Sequence, residues 1–495
     1  MNQSNSSKVL RGVSSQTIVT IVIGLVELLY FSIMSRLLGK EDFGYFAAIT
    51  AITTVFSSLA ETGIGSAIVQ HKSIDKNYLD NAFSLSFVIG LLLTISLCIL
   101  SAPLSMLIVD SSLQIPLIVI SCTLLLSCVS SIPQSVLHRN RMFYRMGLSN
   151  LVSLIVSSFI AILLAVKGFG FYAILAKVVI ASLMNYLIFL VLAKIKFNFA
   201  WDASVLKKIF GFSGWLMASA LFRNISHSID SLIMPRLMSI SLLGAYNRPQ
   251  GFISRISSQL NGIFDSALFP VLSEIQDDPK ALGKAYITST YFLNIFAMVL
   301  SVCFIFNSEL LIRIFFGEQW IELKEIFIIL SIALVFNIDI RLTDCYLRSL
   351  ALTRAQFVFR IIGFVLKIVC LVIGSHWGLL GFAIGGVVAV FSTTLIKMAY
   401  ISNKINVSFV KTVACALSSW KAGILLIPSM IALAFLLPSN LLGNIINCFV
   451  LIILYIVIFL FNPKIVGKEY EQNIYPKFKS MMANKAPKIV KRWFA

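Results

Sequence analysis

Residues 34–46 read MSRLLGKEDFGYF, and residues 234–246 read MPRLMSISLLGAY. At a constant offset of 200, four positions are identical, so that Met34, Arg36, Leu37 and Gly44 match Met234, Arg236, Leu237 and Gly244. Each stretch joins the end of one apolar run to the beginning of the next. We interpret the pair as the trace of an internal duplication.

The interval between the two stretches contains six apolar runs that are long enough to cross a membrane. An even number of crossings gives both copies the same orientation. Parallel repeats of this kind are related by an axis along the membrane normal and enclose the substrate path. The runs at 209–235 and 242–266 then correspond to those at 15–37 and 43–69.

Composition places the chain in the membrane. Hydrophobic residues make up 58% of the 495 residues and charged residues 12%, whereas soluble domains carry about 25% charged residues. We predict an all-α integral membrane protein with about 14 transmembrane helices, arranged as two parallel six-helix repeats plus two C-terminal helices. The predicted spans are 15–37, 43–69, 81–109, 114–137, 148–168, 170–193, 209–235, 242–266, 286–312, 322–347, 357–375, 378–402, 421–438 and 440–462.

These spans divide the chain into four sections. We expect an N-terminal six-helix lobe at 1–200, a C-terminal six-helix lobe at 201–402, two further helices at 403–462 and a basic cytoplasmic tail at 463–495. The tail is predicted either to lie on anionic lipid headgroups or to be a solvated segment.

The net charge of +19 follows the membrane topology, so we expect no nucleic-acid partner. With the N-terminus inside, and with residues in the terminal positions of a span counted in the adjoining segment, 26 Lys and Arg residues fall in inner segments, 6 in outer segments and 8 within spans. The positive-inside rule then predicts that both termini are cytoplasmic. Removing the weakly apolar eighth run at 242–266 would reverse every later loop and destroy this bias.

The sequence offers no sign of an enzyme. It contains no GxxxxGK[ST] loop, no CxxC motif and no long extramembrane segment for a catalytic domain. We therefore expect no catalytic residues, no bound metal and no cofactor. The eight cysteines are interpreted as small buried residues.

Several polar residues lie at membrane depth, where ionisable side chains are costly and face a cavity or a partner. Residues at i, i+4, i+7 and i+11 share one face of a helix. The planar fork of arginine suits phosphate, because it donates two hydrogen bonds at once. We predict a water-filled, cationic cavity whose substrate-binding residues are Arg223, Arg248, Arg255, Gln259 and Arg341.

The alternative is that ion pairs, such as Arg223 with Asp230 or Arg341 with Asp344, lock helices together. Glu27 and Asp230 are the candidates for coupling to an ion. Two further expectations concern polar side chains inside spans. Lys397 is expected to snorkel to the inner surface, and a polar face of the second helix comprises Thr50, Thr54, Ser57 and Glu61.

Six segments have a familiar order and spacing. They are SRLLGKEDFGYFAA (35–48), SIDSLIMPRL (228–237), LLGAYNRPQ (242–250), ALFPVLSEIQDD (267–278), ELLIRIFFGEQW (309–320) and LRSLALTRAQFVFR (347–360). Over residues 8–460 the chain resembles the polysaccharide branch of the multidrug/oligosaccharidyl-lipid/polysaccharide exporter superfamily, the Wzx-type O-antigen and capsule flippases.

The resemblance implies two lobes around a V-shaped cavity in a bacterial inner membrane. It implies alternating access, coupled to an ion gradient, that flips undecaprenyl-diphosphate-linked oligosaccharide to the outer leaflet. The implied partners are this lipid-linked oligosaccharide, membrane lipids, a polysaccharide polymerase and glycosyltransferases. The first helix has no arginine near mid-membrane, which argues against the lipid II flippase branch.

Two other functions stay open. A cation-coupled multidrug exporter of the same superfamily would favour an acidic, aromatic cavity, whereas the second half of this chain is rich in arginine. A membrane glycan polymerase or ligase would carry catalytic residues on a long outer loop, and the outer segments here are short.

Overall fold

The computed structural model describes residues 3–60, 64, 65, 68, 75–108, 111–194, 198–202, 221–424 and 428, and every regular element within them is helical. The first half contains six long helices. They are α1 (Gln3–Leu37), α2 (Lys40–Ala60), α3 (Lys76–Ile108), α4 (Gln114–Arg139), α5 (Phe143–Val166) and α6 (Phe171–Ala193).

The second half repeats this order with one short helix added. Its helices are α7 (221–237), α8 (Ile240–Glu274), α9 (Pro279–Phe306), α10 (Ser308–Phe315), α11 (Lys324–Ser349), α12 (Thr353–Ser375), α13 (Gly378–Lys404) and α14 (Phe409–Ile424). The six long helices α7, α8, α9, α11, α12 and α13 follow one another as α1–α6 do. The added α10 lies between the third and fourth helices of the second copy.

In the described chain, ten helices are long and apolar enough to cross a membrane. The weakly apolar eighth run is also helical, because α8 continues for 35 residues through Pro249 and Pro270. The protein is therefore a multi-pass, all-α membrane protein, as predicted.

One predicted helix end was wrong. The helix predicted to begin at 421 begins at Phe409. Lys411 interrupts the apolar pattern, but its side chain is exposed, so α14 continues through it. The second helix is described from Lys40 to Ala60, and residues 61–63, which follow within the predicted span, lie outside the described part. The last predicted span and the tail at 463–495 lie outside the described residues.

The duplicated stretches have the same local structure. α1 ends at Leu37 and α2 begins at Lys40, just as α7 ends at 237 and α8 begins at Ile240. The carbonyl of Met34 accepts the N–H of Leu38 at 3.0 Å, and that of Met234 accepts the N–H of Met238 at 2.9 Å. The repeat read from four identities is thus a repeat of backbone geometry.

A second correspondence lies before the fifth helix of each copy. Arg141 has φ 56° and Ala351 has φ 55°, in the left-handed region that residues other than glycine rarely occupy. Their N–H groups bind the carbonyls of His138 at 3.0 Å and Arg348 at 3.1 Å. This pair is offset by more than 200, because α10 and the turn after it lengthen the second copy.

Gly44 and Gly244 bring the two copies into direct contact. A Cβ atom at Gly44 would overlap the carbonyl oxygen of Ile240, and a Cβ atom at Gly244 would overlap that of Lys40. The two contacts are related by the same offset of 200. The first turns of α2 and α8 therefore cross around a local two-fold axis at a distance that only glycine permits.

The repeated arginines bind helix ends of the opposite copy. Arg36 donates to the carbonyl of Ile314 in α10 at 2.7 Å, and Arg236 donates to the carbonyl of Met106 in α3. Carbonyls in the last turn of a helix have no partner within the helix, and a cation near them is favourable. Both repeat-equivalent arginines thus bind a carbonyl in the last turn of a helix of the opposite copy, although α10 has no counterpart in the first copy.

An ion-pair cluster connects α10 to the beginning of α11. Glu309 binds Arg313 at 3.0 Å and Lys324 at 3.1 Å. The hydrogen bond from Lys324 holds the pKa of the Glu309 carboxyl below its usual range, and Arg313 acts in the same direction. All three side chains are about half exposed, so the cluster contributes little to stability.

The chain forms two compact units. One comprises residues 1–247 and 314–319, and the other comprises residues 248–313 and 320–495. In the first unit, buried Ile64, Ile68 and Leu85 belong to one core cluster. In the second, the ring of Phe252 lies 6.0 Å from those of Phe304 and Phe327. The predicted lobe boundary at 200 stays a prediction.

Candidate functional site

The arginines of α8 differ in their surroundings. Arg248 is 8% exposed, whereas Arg255, two turns further along, is exposed together with Ser254 and Ser258. Phe252 between them is buried against α9 and α11. α8 therefore packs against its neighbours through Phe252, and the side chain of Arg255 is exposed. Gln259 lies on the same helix, but its side chain is outside the described part.

The polar residues of α7 also differ in their exposure. Arg223 and His227 are exposed, while Asp230 is 1% exposed. Asp230 lies close enough to the fully buried Tyr246 of α8 to interact with it electrostatically. The exposed Arg223 and the buried Asp230 therefore lie in different surroundings on the same helix.

The alternative pairing of Arg341 with Asp344 was wrong. Asp344 binds Lys397 of α13 at 2.7 Å, and the Lys397 side chain is only 4% exposed. The expectation that Lys397 snorkels was also wrong, because a carboxylate on the neighbouring helix α11 holds its ammonium within the protein. Arg341 is exposed and stays a substrate-binding candidate.

Sequence reasoning missed a buried polar cluster next to this pair. Asp339, 3% exposed, accepts a hydrogen bond from the amide of Asn294 at 2.7 Å. Trp420 of α14 donates to the Oδ1 atom of the same amide at 3.4 Å. A buried carboxylate that is held by a neutral amide donor is a rare group at membrane depth. Its signal in the sequence was an aspartate in the middle of the apolar run 326–342.

In the first unit, the coupling candidate Glu27 is half-buried. One turn further along α1, the ring of Tyr30 lies 3.6 Å from the Nζ atom of Lys177 on α6. Sequence reasoning also missed Lys177, although it is the one charged residue of α6. The two helices thus place a carboxylate and a cation in the same part of this unit.

The hydroxyl groups on the predicted polar face of α2 form hydrogen bonds within their own helix. The hydroxyls of Thr50, Thr54 and Ser57 donate to backbone carbonyls three or four residues earlier, at 2.7–3.0 Å. Such internal hydrogen bonds lower the cost of hydroxyl groups in an apolar environment. Glu61, the last member of this face, lies outside the described residues.

The structure assigns the candidate residues to both units. Glu27, Arg223 and Asp230 belong to the first unit, and Arg248, Arg255, Gln259 and Arg341 to the second. Both units thus carry ionisable side chains on helices of the membrane domain. The common cavity stays a prediction.

The family is decided by comparison with known proteins. Residues 33–325 match the family described as "Polysaccharide biosynthesis protein". The chain belongs to this family. The match covers more than half of the chain and includes α2–α10. It confirms the resemblance, and five of the six segments that carried the resemblance lie within it.

Relatives of this polysaccharide biosynthesis protein are remote. It is 22% identical over 288 residues to the succinoglycan biosynthesis transport protein ExoT of Rhizobium meliloti (strain 1021), and this match covers 58% of each chain. It is 21% identical over 442 residues to the lipopolysaccharide biosynthesis protein WzxC of Escherichia coli (strain K12), over 86% of each chain.

Solved structures show the same fold. The lipid II flippase MurJ, in an inward closed conformation, superposes with a TM-score of 0.71 at 17% identity, covering 90% of this chain and 98% of that one. An inward-facing multidrug resistance MATE family transporter of the MOP superfamily has a TM-score of 0.65 at 14% identity, over 80% and 98%. At these identities the likeness establishes the fold alone.

Proposed function

We propose that this protein moves an undecaprenyl-diphosphate-linked oligosaccharide from the inner to the outer leaflet of the bacterial plasma membrane, for assembly of a surface polysaccharide. The family match over residues 33–325 carries the proposal. The names of the relatives, one a succinoglycan biosynthesis transport protein and one a lipopolysaccharide biosynthesis protein, support it. The protein then acts as a transporter, not an enzyme, beside glycosyltransferases and a polymerase.

In this proposal, arginines hold the diphosphate during transfer. Arg255 and Arg341 are exposed on membrane helices, and Arg248 lies two turns from Arg255 on α8. Each guanidinium can donate two parallel hydrogen bonds to a phosphate group. A water-filled cavity lowers the cost of these charges while the substrate is absent. Arg223 and Gln259 complete the binding set.

Transfer proceeds by alternating access and draws on an ion gradient. Glu27 and Asp230 are the proposed sites for the coupling proton or cation, because a carboxylate at membrane depth requires one or the other. Both termini are placed in the cytoplasm by the distribution of Lys and Arg.

Export of a cationic drug is the rival function, since the fold is shared with a multidrug transporter. The arginines argue against it, because like charges repel a cationic substrate. A strain without this gene distinguishes the two functions. We expect it to lose surface polysaccharide and to keep its normal susceptibility to cationic drugs.

Substitution of the α8 arginines tests the substrate assignment. We expect R248A and R255A each to reduce surface polysaccharide several-fold and to cause lipid-linked precursor to accumulate inside the cell. R255K should be impaired as well, because lysine keeps the charge and loses the bidentate fork. Extracted precursor and surface polysaccharide are measured in a strain that expresses only the variant.

The matched control is R354A, which removes an exposed arginine at the first turn of α12. Each variant is compared with wild type at equal abundance in the membrane, by immunoblot. Normal polysaccharide from the R248A/R255A double variant would remove both residues from the substrate path.

Substitution of Glu27 tests the coupling assignment. Glu27→Gln keeps the shape of the side chain and removes the group that binds a proton or cation. We expect polysaccharide export to fall at least about tenfold while abundance stays near normal. Glu41→Gln, at an exposed position in the first turn of α2, is the control. Unchanged export would exclude Glu27 as the coupling site.

A further inference from the structure

The third helices of the two copies begin with equivalent caps and differ in the side chains that follow. Asp75 caps α3 by accepting the N–H of Tyr78 at 2.9 Å, and Asp278 caps α9 by accepting that of Lys280 at 2.9 Å. These equivalent caps align the two helices residue by residue. The alignment pairs Asp80 with Gly283, Asn81 with Lys284, and Ser84 with Ile287.

In the first copy, the polar residues of α3 bind the segment that follows α6. Asp80 accepts the N–H of Asn198 at 3.0 Å and Ser84 accepts that of Ala200 at 2.9 Å. Asn81 accepts the N–H of Asp202 at 2.6 Å. The segment 198–202 therefore covers this end of α3. Each of the three side chains accepts a hydrogen bond from the backbone of that segment.

In the second copy, the counterparts of these three residues have no side-chain acceptor. The chain after α13 turns at Asn406, with φ 54°, and enters α14. Beside this turn a cavity of about 850 Å³ is lined by α9, the segment 405–408 and the first turn of α14. Gly283, Lys284 and Ile287 all lie in its wall. Gly283 and Ile287 are buried, and a Cβ atom at Gly283 would lie 2.8 Å from the side chain of Val407, so the segment after α13 packs against α9 here. The exposed Lys284 lies at the surface of the cavity.

The cavity is cationic. Lys280, Lys284 and Lys411 line it, all three side chains are exposed, and none forms an ion pair within the described chain. Asp278 is the one carboxylate in the wall, and its Oδ1 atom is engaged by the N–H groups of Lys280 and Ala281. The N-terminus of α14 adds N–H groups with no partner inside the helix. The three lysines and the N–H groups at the beginning of α14 therefore favour binding of an anion in this cavity.

The rest of the wall is apolar. Pro279, Ile287, Ile405 and Val407 lie beside the lysines. The volume is within the range of about 300–1,000 Å³ that is typical of small-molecule sites. A ligand that suits both parts of the wall carries a phosphate next to apolar groups.

We propose that this cavity binds the phosphate of an anionic membrane-lipid headgroup. Basic cavities between helices at the membrane surface recognise such headgroups. The cavity lies at the ends of α9, α13 and α14, on the side where the charge bias places the cytoplasm. Free phosphate from solution is the other source of the same chemistry.

The test uses the full-length protein in a mild detergent. Thermal unfolding is followed while phosphatidylglycerol, phosphatidylcholine or sodium pyrophosphate is titrated. The cavity variant is K280Q/K284Q/K411Q. The matched control is K76Q/K194Q/R354Q, which removes as many exposed cations from segments assigned to the same side. Equal melting temperatures in phosphatidylcholine verify that all three proteins are folded.

We expect phosphatidylglycerol to stabilise wild type and the control equally. The cavity variant should need at least about tenfold more of this lipid for the same stabilisation. Equal stabilisation of the cavity variant would overturn the proposal. Stabilisation by pyrophosphate that is lost only in the cavity variant would keep the phosphate site and overturn the lipid as its source.

Discussion

Lys397 shows what a charge does inside a helical membrane protein. Its side chain is 4% exposed and its Nζ atom lies 2.7 Å from Asp344. Taking both charges out of water is costly, and their attraction offsets that cost only while both are present. Asp339 meets the same requirement differently, through neutral donors from Asn294. The described part of the second unit thus carries a buried carboxylate at Asp339 and a partly buried one at Asp344, of which the second is paired with a cation.

The pair predicts an asymmetric response to substitution. K397M should lower stability by about 3 kcal/mol, because it leaves the Asp344 carboxylate without its cation. K397M/D344L should recover most of the loss, since it removes both charges. K404M, at the exposed end of the same helix, is the control. Thermal unfolding in detergent measures all four proteins, and a double variant that unfolds no later than K397M would refute the pairing.

At the scale of elements, the crossing of α2 and α8 depends on two glycines. Each glycine faces the backbone of the opposite helix, where a carbonyl oxygen has no freedom to move aside. Because the contacts repeat at an offset of 200, a substitution at either position should act on the same crossing. A small change in either helix therefore has a structural consequence in both copies of the repeat.

We expect G44A and G244A each to reduce the melting temperature and the export of polysaccharide. The inserted methyl group forces the helices apart and outweighs the gain in helix propensity, which is about 1 kcal/mol for Gly→Ala. G251A is the control, because a Cβ atom at Gly251 in α8 meets no atom within 4 Å. The control should be neutral or stabilising. G44A with wild-type stability would show that the crossing is not close in the membrane.

For the whole molecule, the charge bias predicts a topology. Single cysteines placed in a cysteine-free variant should be labelled by an impermeant maleimide only from inside at Lys194 and only from outside at Glu318. Both positions are exposed at helix ends. Labelling of whole cells against inside-out vesicles measures the difference. Labelling at Lys194 in intact cells would invert the orientation.

The sequence alone determined the all-α membrane fold, the duplication and the weakly apolar eighth helix. In a bilayer, each helix satisfies its own backbone hydrogen bonds, so its existence depends on local composition. The family resemblance followed from six short segments, because a resemblance in sequence can be recognised without knowing which helices pack together.

Only the tertiary structure decided which residues meet. The ammonium group of Lys397 pairs with Asp344 and does not extend to the interface with water. Gly44 contacts the backbone of Ile240, at the beginning of α8. The lysines of the cationic cavity come together because α9 and the first turn of α14 lie beside the segment 405–408. Side-chain pairing depends on how helices pack across long separations in sequence, and helical periodicity shows which face a residue occupies without showing what lies opposite.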